Sequence, residues 1–510
     1  MTERLAFNVV AGQGGNQVVA GQSGDHIVAG RSSFVAGRAS DQRPTTARPT
    51  TNDQRPITRR ERHDWAFTFT LLFTAVVFLR PQDILPVLEP LHLAEFTALG
   101  GLSAMAIGRL RRGQSITRVT PELIGIIVLG AIILGTAPFS IWMGGVVQTL
   151  LELYSKVILI YLLAVNVLMS PRRVERLTWV LMLTSGYIGF RATFDYVRGV
   201  YLIAHGTRVM GSVGGIMQNP NDLALNMVSV LPFAIFFALR RDSVPKRLFA
   251  AFCAACMVGA IVATGSRGGF LGFVAMLMVT AITTIRRQPG YAIAGAITVM
   301  CALPLVPQTY WNRLASITDE SKDEYGTAQA RRTLLRESLD AYLQNPITGV
   351  GAAQFKNWNP TTREQAWHES HDVWLQVAAE LGTGGLIVFI FLVGRGGLGV
   401  LRTRRLLARI KPSRKRARRD GPSPAGDEAP PVSRDEWVFL DAHSAAMAAA
   451  IVGWIVCASF ASVAYNWTFY YLLALAVAPY DILRARLRPA AAHAAHAPAR
   501  PAWRHEVARA

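Results

Sequence analysis

Two arginines in the sequence could bind an anion, and one histidine could accept a proton. Arg267 lies between two long apolar runs, Arg208 lies in the connection between two others, and His371 opens a further run. Arginine presents a planar fork of hydrogen-bond donors that suits phosphate oxygens. Histidine has a pKa near neutrality, so it can accept a proton from a hydroxyl nucleophile. These residue types indicate phosphate binding combined with general-base chemistry.

Arg267 lies in the turn Thr264-Gly265-Ser266-Arg267-Gly268-Gly269, which joins two apolar runs with little room to leave a membrane. A charge at that depth must face protein, water or a ligand rather than lipid. The flanking glycines let a polar group approach the backbone closely. The simpler alternatives are an interfacial arginine that reaches towards lipid headgroups and, for Arg208, a solvated surface position.

Two polar segments accompany these residues. Asn221 belongs to Asn219-Pro220-Asn221-Asp222, whose simplest role is to cap the helix that follows. His368 precedes His371 by three residues and is the alternative base. Because a lone interfacial histidine is often structural, residue types alone leave the role of His371 open.

The apolar runs recur along most of the chain. Hydrophobic residues make up 51% of the 510 residues and charged residues only 17%, below the roughly 25% of an ordinary soluble domain. Many runs approach the ~20 residues that a helix needs to cross a bilayer, so we predict an all-α fold, a polytopic transmembrane helical bundle of about twelve spans. The predicted spans are 65–79, 92–108, 122–138, 151–168, 177–195, 223–239, 248–264, 268–285, 291–307, 371–394, 438–461 and 467–483.

The basic residues predict the orientation of these spans. The formal net charge is +20, and the arginines cluster at every second connection between spans. The positive-inside rule places those connections and both termini in the cytoplasm. Arg208, Arg267 and His371 then lie on the outer face. No basic tract is interleaved with aromatic residues, so nucleic-acid binding is not expected.

The sequence divides into regions of different composition. They are a disordered cytoplasmic tail with a Val-Ala-Gly repeat (1–64), transmembrane helices 1–9 (65–307), a large outer loop (308–370), transmembrane helices 10–12 (371–483) with a basic cytoplasmic loop (395–437), and a cytoplasmic C-terminal tail (484–510). Leucine spacing predicts an amphipathic helix over 331–343 in the large loop, stopped by Asn345-Pro346.

The cysteines and acidic residues indicate neither a redox centre nor a metal site. Cys253, Cys256, Cys301 and Cys457 all lie inside apolar runs, and we interpret the pair in Cys253-Ala-Ala-Cys256 as small helix-packing residues. No Asp-x-Asp motif occurs on the predicted outer side. We therefore expect no metal and no other cofactor.

Several ordered motifs resemble the O-antigen ligase and polymerase superfamily over about residues 65–480. They are Gly265-Ser266-Arg267-Gly268-Gly269, Arg331 or Arg332, Asn345-Pro346-Ile347-Thr348-Gly349-Val350-Gly351, and His371 with Glu380-Leu381-Gly382. The early Arg80-Pro81-Gln82-Asp83-Ile84-Leu85-Pro86 is similar to the exosortase-associated O-glycosylation ligase branch. One position departs from the family, because Asp372 stands where the motif usually has Asn.

The resemblance implies a metal-independent, inverting glycosyltransferase on the periplasmic face of a bacterial inner (cytoplasmic) membrane. It would move a glycan from a polyprenyl (undecaprenyl) pyrophosphate donor to a hydroxyl of lipid A core or of another glycan or protein acceptor. It assigns donor binding to Arg208 and Arg267 and the base to His371. The supporting candidates are Arg331, Arg332, His368, Asn221 and Glu380.

Two other functions compete with a ligase. A polymerase of the same superfamily would use the same residues, so the sequence does not separate the two. A transporter or lipid flippase should place polar groups near the middle of several spans. The residues that would favour it mostly lie within a turn or two of a predicted span end; they are Glu152, Lys156, Asn166, Arg191, Asp441 and His443.

Overall fold

The computed structural model describes most of the chain between residues 64 and 496. The described ranges are 64–200, 208–211, 217, 219–285, 289–302, 304, 306–315, 326–410 and 432–496. The predicted N-terminal tail, except residue 64, lies outside them. So do 411–431 of the predicted basic loop and the chain beyond 496.

The described ranges are helical and contain no β-strand, which confirms the predicted all-α fold. The helices are α1 (Trp65–Leu79), α2 (Pro81–Ile84), α3 (Leu93–Leu110), α4 (Pro121–Thr136), α5 (Met143–Thr149), α6 (Ser155–Val167), α7 (Pro171–Val197), α8 (Pro220–Leu239), α9 (Val244–Ala263), α10 (Arg267–Ile285), α11 (Pro289–Ala302), α12 (Gln308–Ala315), α13 (Thr327–Gln344), α14 (Val373–Arg409), α15 (Arg434–Ala458) and α16 (Trp467–His496).

Eight helical stretches within the described ranges are long and apolar enough to cross a membrane. They are Pro86–Leu110, Pro121–Phe139, Met143–Val167, Pro220–Leu239, Val244–Ala263, Arg267–Ile285, Val373–Arg409 and Arg434–Ala458. The other four predicted spans overlap α1, α7, α11 and α16. The chain is therefore a polytopic helical membrane protein, as the apolar runs predicted.

The α14 helix is longer than the sequence predicted. The predicted span ended at residue 394, with a basic loop from 395, but the helix continues to Arg409. Arginine and leucine are strong helix formers, so a basic segment that leaves the membrane can continue the helix into water. The prediction mistook the end of the apolar run for the end of the helix.

The large loop is partly helical, as predicted, because it contains α12 and α13. The helix α13 covers the predicted 331–343 segment and ends at Asn345. Its leucines do not share one buried face, however. Leu334 is buried against Phe355 and Trp358, whereas Leu339 and Leu343 are exposed.

The segment after α13 docks against a break in α14. The Val350 N–H donates to the Ala379 carbonyl at 2.9 Å, and the Thr383 N–H donates to the Pro346 carbonyl at 2.8 Å. Between these contacts Gly382 adopts φ +67°, which interrupts the helix. The loop thus supplies partners for backbone groups that the interrupted helix leaves unpaired.

Replacing Gly382 by alanine is expected to destabilise the protein. The new Cβ would collide with the Ile347 carbonyl group, and φ +67° is unfavourable for a side chain. We expect a loss of about 1–3 kcal/mol, seen as a lower melting temperature in detergent. Gly394→Ala in the same helix is the control, because nothing lies within 4 Å of its Cβ position. Equal melting temperatures for the two variants would contradict this account.

The cysteine interpretation is confirmed for the pair in α9. Cys253 and Cys256 are free thiols that are buried in the bundle. A Cβ on Gly186 would lie 2.8 Å from the Cys253 sulfur, and one on Gly189 would lie 3.0 Å from the Cys256 carbonyl oxygen. The small residues of α7 and α9 therefore let the two helices approach closely.

Candidate functional site

Arg208 is held against the turn between α9 and α10. Its Nε donates to the Thr264 carbonyl at 2.9 Å, and its Nη2 donates to Asn221 Oδ1 at 3.1 Å. The adjacent Val209 N–H donates to the Ala263 carbonyl at 3.1 Å. These contacts fix the guanidinium beside the Gly265–Gly269 turn, so Arg208 is not a solvated surface residue.

Asn221 links this arginine to the start of α10. Its Oδ1 also accepts a hydrogen bond of 2.8 Å from Ser266 Oγ, which in turn caps the Gly269 N–H at 3.1 Å. The helix-capping role predicted for this segment falls to Asn219, whose Oδ1 accepts from the Asn221 N–H at 2.9 Å. Asn221 therefore joins the two sequence motifs that carry the candidate arginines.

Arg313 on α12 is a third arginine at the turn, and the sequence analysis missed it. Its Nε donates to the Gly265 carbonyl at 3.1 Å. Consecutive carbonyl groups, those of Thr264 and Gly265, thus each accept from an arginine Nε. No motif surrounds Arg313, and only its position shortly after an apolar span could have indicated it.

The arginines concentrate positive charge at this place. Burial, together with the smaller effects of the charges of Arg313, Arg331 and Arg267, lowers the pKa of Arg208 to about 9. Within the described ranges, Arg208 itself donates only to neutral oxygens. Since like charges repel, a bound anion would stabilise the cluster. We call Arg208, Arg267, Arg313 and Arg331 the arginine cluster.

Arg331 is close enough to this cluster to act on it electrostatically. Its charge acts on both Arg208 and His371. Arg332 is the next residue on α13, about 100° further around the helix, and is exposed. These observations favour Arg331 as the supporting candidate.

His371 lies beside the arginine cluster in a constrained conformation. It is half-buried and has φ +52°, a left-handed conformation that is uncommon for histidine. Burial lowers its pKa to about 4, assisted by the charges of Arg331, His368 and Arg208. The imidazole is therefore neutral at physiological pH and has a nitrogen available to accept a proton.

His368, the alternative base, has a more open position. Its side chain is exposed, and Nδ1 lies 3.0 Å from the Ala366 carbonyl oxygen. It interacts electrostatically with His371. The His371 side chain is therefore more buried than the His368 side chain.

Comparison with known families identifies the segment that carries Arg267 and His371. Residues 252–390 match the family model described as O-antigen ligase. Over these residues the chain is similar to O-antigen ligases, and we call residues 252–390 the O-antigen ligase domain. The match includes the large loop and ends within α14, whereas Arg208 and the α15–α16 connection lie outside it. Comparison with curated proteins gave no match.

Residues beyond the O-antigen ligase domain hold His371 in place. The His371 N–H donates to Ser462 Oγ at 2.9 Å, and Ser462 Oγ lies 3.2 Å from Ser370 Oγ. Trp374 Nε1 donates to Ser459 Oγ at 3.1 Å. Both acceptor serines belong to the 459–466 connection between α15 and α16. The sequence analysis missed this connection, and its only signal is a short polar stretch between two apolar spans.

Glu380 anchors the large loop of the O-antigen ligase domain. Its buried carboxylate accepts hydrogen bonds from the Ala353 N–H at 2.9 Å and the Tyr465 hydroxyl at 2.8 Å. Asp372 caps α14, since its Oδ1 accepts from the Leu375 N–H at 2.8 Å. Asp and Asn are comparable N-caps, so the departure from the family motif preserves this role.

An acidic group, Glu369, lies two residues before His371 in the chain. Its side chain is accessible, and burial raises the pKa of its carboxyl. Asp222, next to Asn221, interacts electrostatically with it. In the parts of the chain that the structure describes, no group of three His, Cys, Asp or Glu side chains could hold a metal ion.

Replacing Ser462 by alanine is expected to lower kcat by roughly tenfold with little change in the donor KM. The serine holds the His371 backbone but does not belong to the arginine cluster, and one hydrogen bond contributes about 1 kcal/mol. Ser462→Thr should restore activity because it keeps the hydroxyl. Ser459→Ala is the matched control. A larger donor KM for Ser462→Ala, or no rescue by threonine, would contradict a positioning role.

Proposed function

We propose that this protein transfers a glycan from a polyprenyl (undecaprenyl) pyrophosphate donor to an acceptor hydroxyl at a bacterial inner membrane. The arginine cluster beside His371 is the observation that carries the proposal. Arginine forks suit the oxygens of a pyrophosphate. The O-antigen ligase domain supports a glycan as the transferred group.

In the proposed reaction, neutral His371 accepts the proton of the acceptor hydroxyl. The oxygen attacks the anomeric carbon from the face opposite the pyrophosphate, and the bond between that carbon and the pyrophosphate oxygen breaks. The leaving oxygen takes the electron pair, and the sugar configuration inverts. The arginine cluster stabilises the leaving charge, a role that a divalent cation has in many other transferases. We therefore propose a metal-independent transfer.

The proposed place for the acceptor is beside Glu369. Glu369 lies two residues before His371, and its accessible carboxylate can accept hydrogen bonds from sugar hydroxyls. The acceptor would be lipid A core or another glycan or protein. The donor phosphates would then bind to the arginine cluster and the acceptor hydroxyls to the Glu369 carboxylate.

The fold supports a periplasmic site. The α9 helix begins beside the basic tract at 240–247 and ends at the turn that binds Arg208. If the basic tract is cytoplasmic, the arginine cluster lies on the other side of the membrane. A cysteine replacing exposed Arg332 is expected to react with a membrane-impermeant maleimide added outside spheroplasts, whereas one replacing exposed Arg172 should not. The reverse labelling pattern would overturn this orientation.

Three of the six polar residues that would favour a transporter have local partners instead. Asn166 Nδ2 donates a hydrogen bond to Thr117 Oγ1 at 2.8 Å, and Arg191 Nη2 forms an ion pair with Asp195 Oδ1 at 3.5 Å. His443 stacks on Phe233, with ring centroids 5.5 Å apart. These contacts stabilise the bundle and favour a transferase over a transporter.

The decisive experiment is transfer by the purified protein in nanodiscs. Polyprenyl pyrophosphate-linked glycan and an acceptor are incubated with EDTA, and the acceptor-linked product is measured. Product formation in EDTA supports the proposal, while activity that requires an added divalent metal would refute the metal-independent mechanism. No transfer to any acceptor, despite donor binding, would refute a transferase.

The same active site could serve a ligase or a polymerase, and a deletion strain separates them. A ligase deletion should lose all attached glycan and accumulate polyprenyl-linked polymer. A polymerase deletion should leave single repeat units attached to the acceptor. The family match supports ligase- or polymerase-like glycan transfer, and we propose the ligase as the first candidate.

A further inference from the structure

A cavity lies between α7 and α9, far from the arginine cluster. Its volume is about 400 Å³, which is within the range of ligand sites. Its walls are formed by Arg172, Glu175, Arg176, Trp179 and Lys246.

The cavity and the arginine cluster lie at opposite ends of α9. Lys246 is in the first turn of this helix, and Thr264, which binds Arg208, directly follows its last residue. A helix of 20 residues spans ~30 Å, the thickness of a bilayer's hydrocarbon core. The cavity therefore lies at the other membrane surface.

The cavity is positively charged. Three of its wall residues are cationic, namely Arg172, Arg176 and Lys246, and one is acidic. The acidic residue, Glu175, forms an ion pair with Arg240. Lys246 lies 3.4 Å from Asp242, whereas Arg172 and Arg176 have no carboxylate partner within the described ranges. The charge complements an anion.

An apolar surface runs from the cavity along both helices. On α7, the exposed side chains Leu183, Tyr187 and Phe190 follow Trp179 at helical spacing. On α9, Phe252 is 52% exposed, and its ring centroid lies 6.2 Å from that of Phe190. Trp179 occupies the boundary between the charged and apolar parts, where tryptophan is favoured in membrane proteins.

We propose that this cavity binds the headgroup of an anionic phospholipid whose acyl chains lie along α7 and α9. The cationic side chains would bind the phosphate, and the exposed aromatic and aliphatic side chains would contact the chains. A free phosphate would satisfy the charges but not the apolar surface. This site is separate from the proposed transfer site and does not depend on its function.

The test is native mass spectrometry of delipidated protein titrated with phosphatidylglycerol or with phosphatidylcholine of the same acyl chains. We expect tighter binding of phosphatidylglycerol. The Arg172→Gln/Arg176→Gln/Lys246→Gln variant should lower its affinity by about tenfold and leave phosphatidylcholine binding unchanged. The matched control is Arg111→Gln/Arg112→Gln, which removes exposed arginines at the end of α3.

Each alternative result has a defined meaning. Equal binding of both lipids, or an equal loss in the control variant, would overturn a specific site. Complete displacement by excess inorganic phosphate would show a free-anion site and overturn the lipid proposal. Arg172→Gln and Lys246→Gln are also measured singly, because their side chains are exposed and folding should be preserved. Wild-type binding in folded single and triple variants would likewise overturn it.

Discussion

Replacing His371 by alanine is expected to lower the rate of glycan transfer by ~10²- to 10⁴-fold while donor binding persists. The imidazole acts on the acceptor proton only during reaction, whereas the donor phosphates are assigned to the arginine cluster. The measurement is transfer from purified polyprenyl-linked glycan, with donor binding determined in parallel. His368→Ala is the matched control, because it removes an exposed imidazole three residues away.

The pH dependence provides an independent test of the same role. The pKa of His371 is lowered to about 4 in the free protein, so kcat/KM should fall only as the pH decreases towards 4. A bound pyrophosphate would offset the arginine charges and favour the protonated imidazole. The acidic limb of kcat should therefore lie at a higher pH than that of kcat/KM. Identical limbs in both profiles, or full activity of His371→Ala, would remove the base assignment.

Much of the fold was predictable because each membrane span requires a long run of apolar residues. A span must be a long apolar helix, so the runs identified the spans without knowledge of their packing. A helix that extends into water does not end where its apolar run ends. The sequence therefore did not predict the extension of α14 to Arg409. The burial pattern of α13 was not predictable from spacing. Its apolar positions are Leu334, Leu335, Leu339 and Leu343, and of these only Leu334 is buried against the loop.

The candidate site was predictable where a local motif surrounds the residue. Arg267 stands between glycines, and His371 opens a span, so the sequence alone drew attention to them. Arg313 and Ser462 lack such surroundings. Each becomes relevant only through a contact with a distant segment, the Gly265 carbonyl and the His371 N–H respectively. Contacts of that kind depend on tertiary packing, which spacing does not encode.

Removing an arginine of the cluster is expected to weaken both donor binding and turnover. Arg208→Ala and Arg267→Ala should each lower kcat/KM by roughly 10²- to 10³-fold. The reason is that a phosphate contact exists in the bound donor and strengthens as charge develops on the leaving oxygen. The effect should therefore appear in KM and kcat together, unlike that of His371→Ala. Arg332→Ala is the control, since that arginine is exposed beside Arg331.

Replacing an arginine by lysine separates the effect of its hydrogen-bond geometry from the effect of its positive charge. Arg208 donates from Nε to the Thr264 carbonyl and from Nη2 to Asn221 Oδ1. These two hydrogen bonds fix the orientation of its guanidinium. An ammonium group keeps the charge but cannot reproduce this fork. Arg208→Lys should thus remain well below wild-type activity. Asn221→Ala should lower activity less than Arg208→Ala, because Arg208 keeps its guanidinium and its hydrogen bond to the Thr264 carbonyl. Wild-type kinetics for Arg208→Lys would mean that the cluster acts through net charge alone. In that case a role for the orientation of the Arg208 guanidinium in donor binding would be refuted, even if the transfer reaction itself were confirmed.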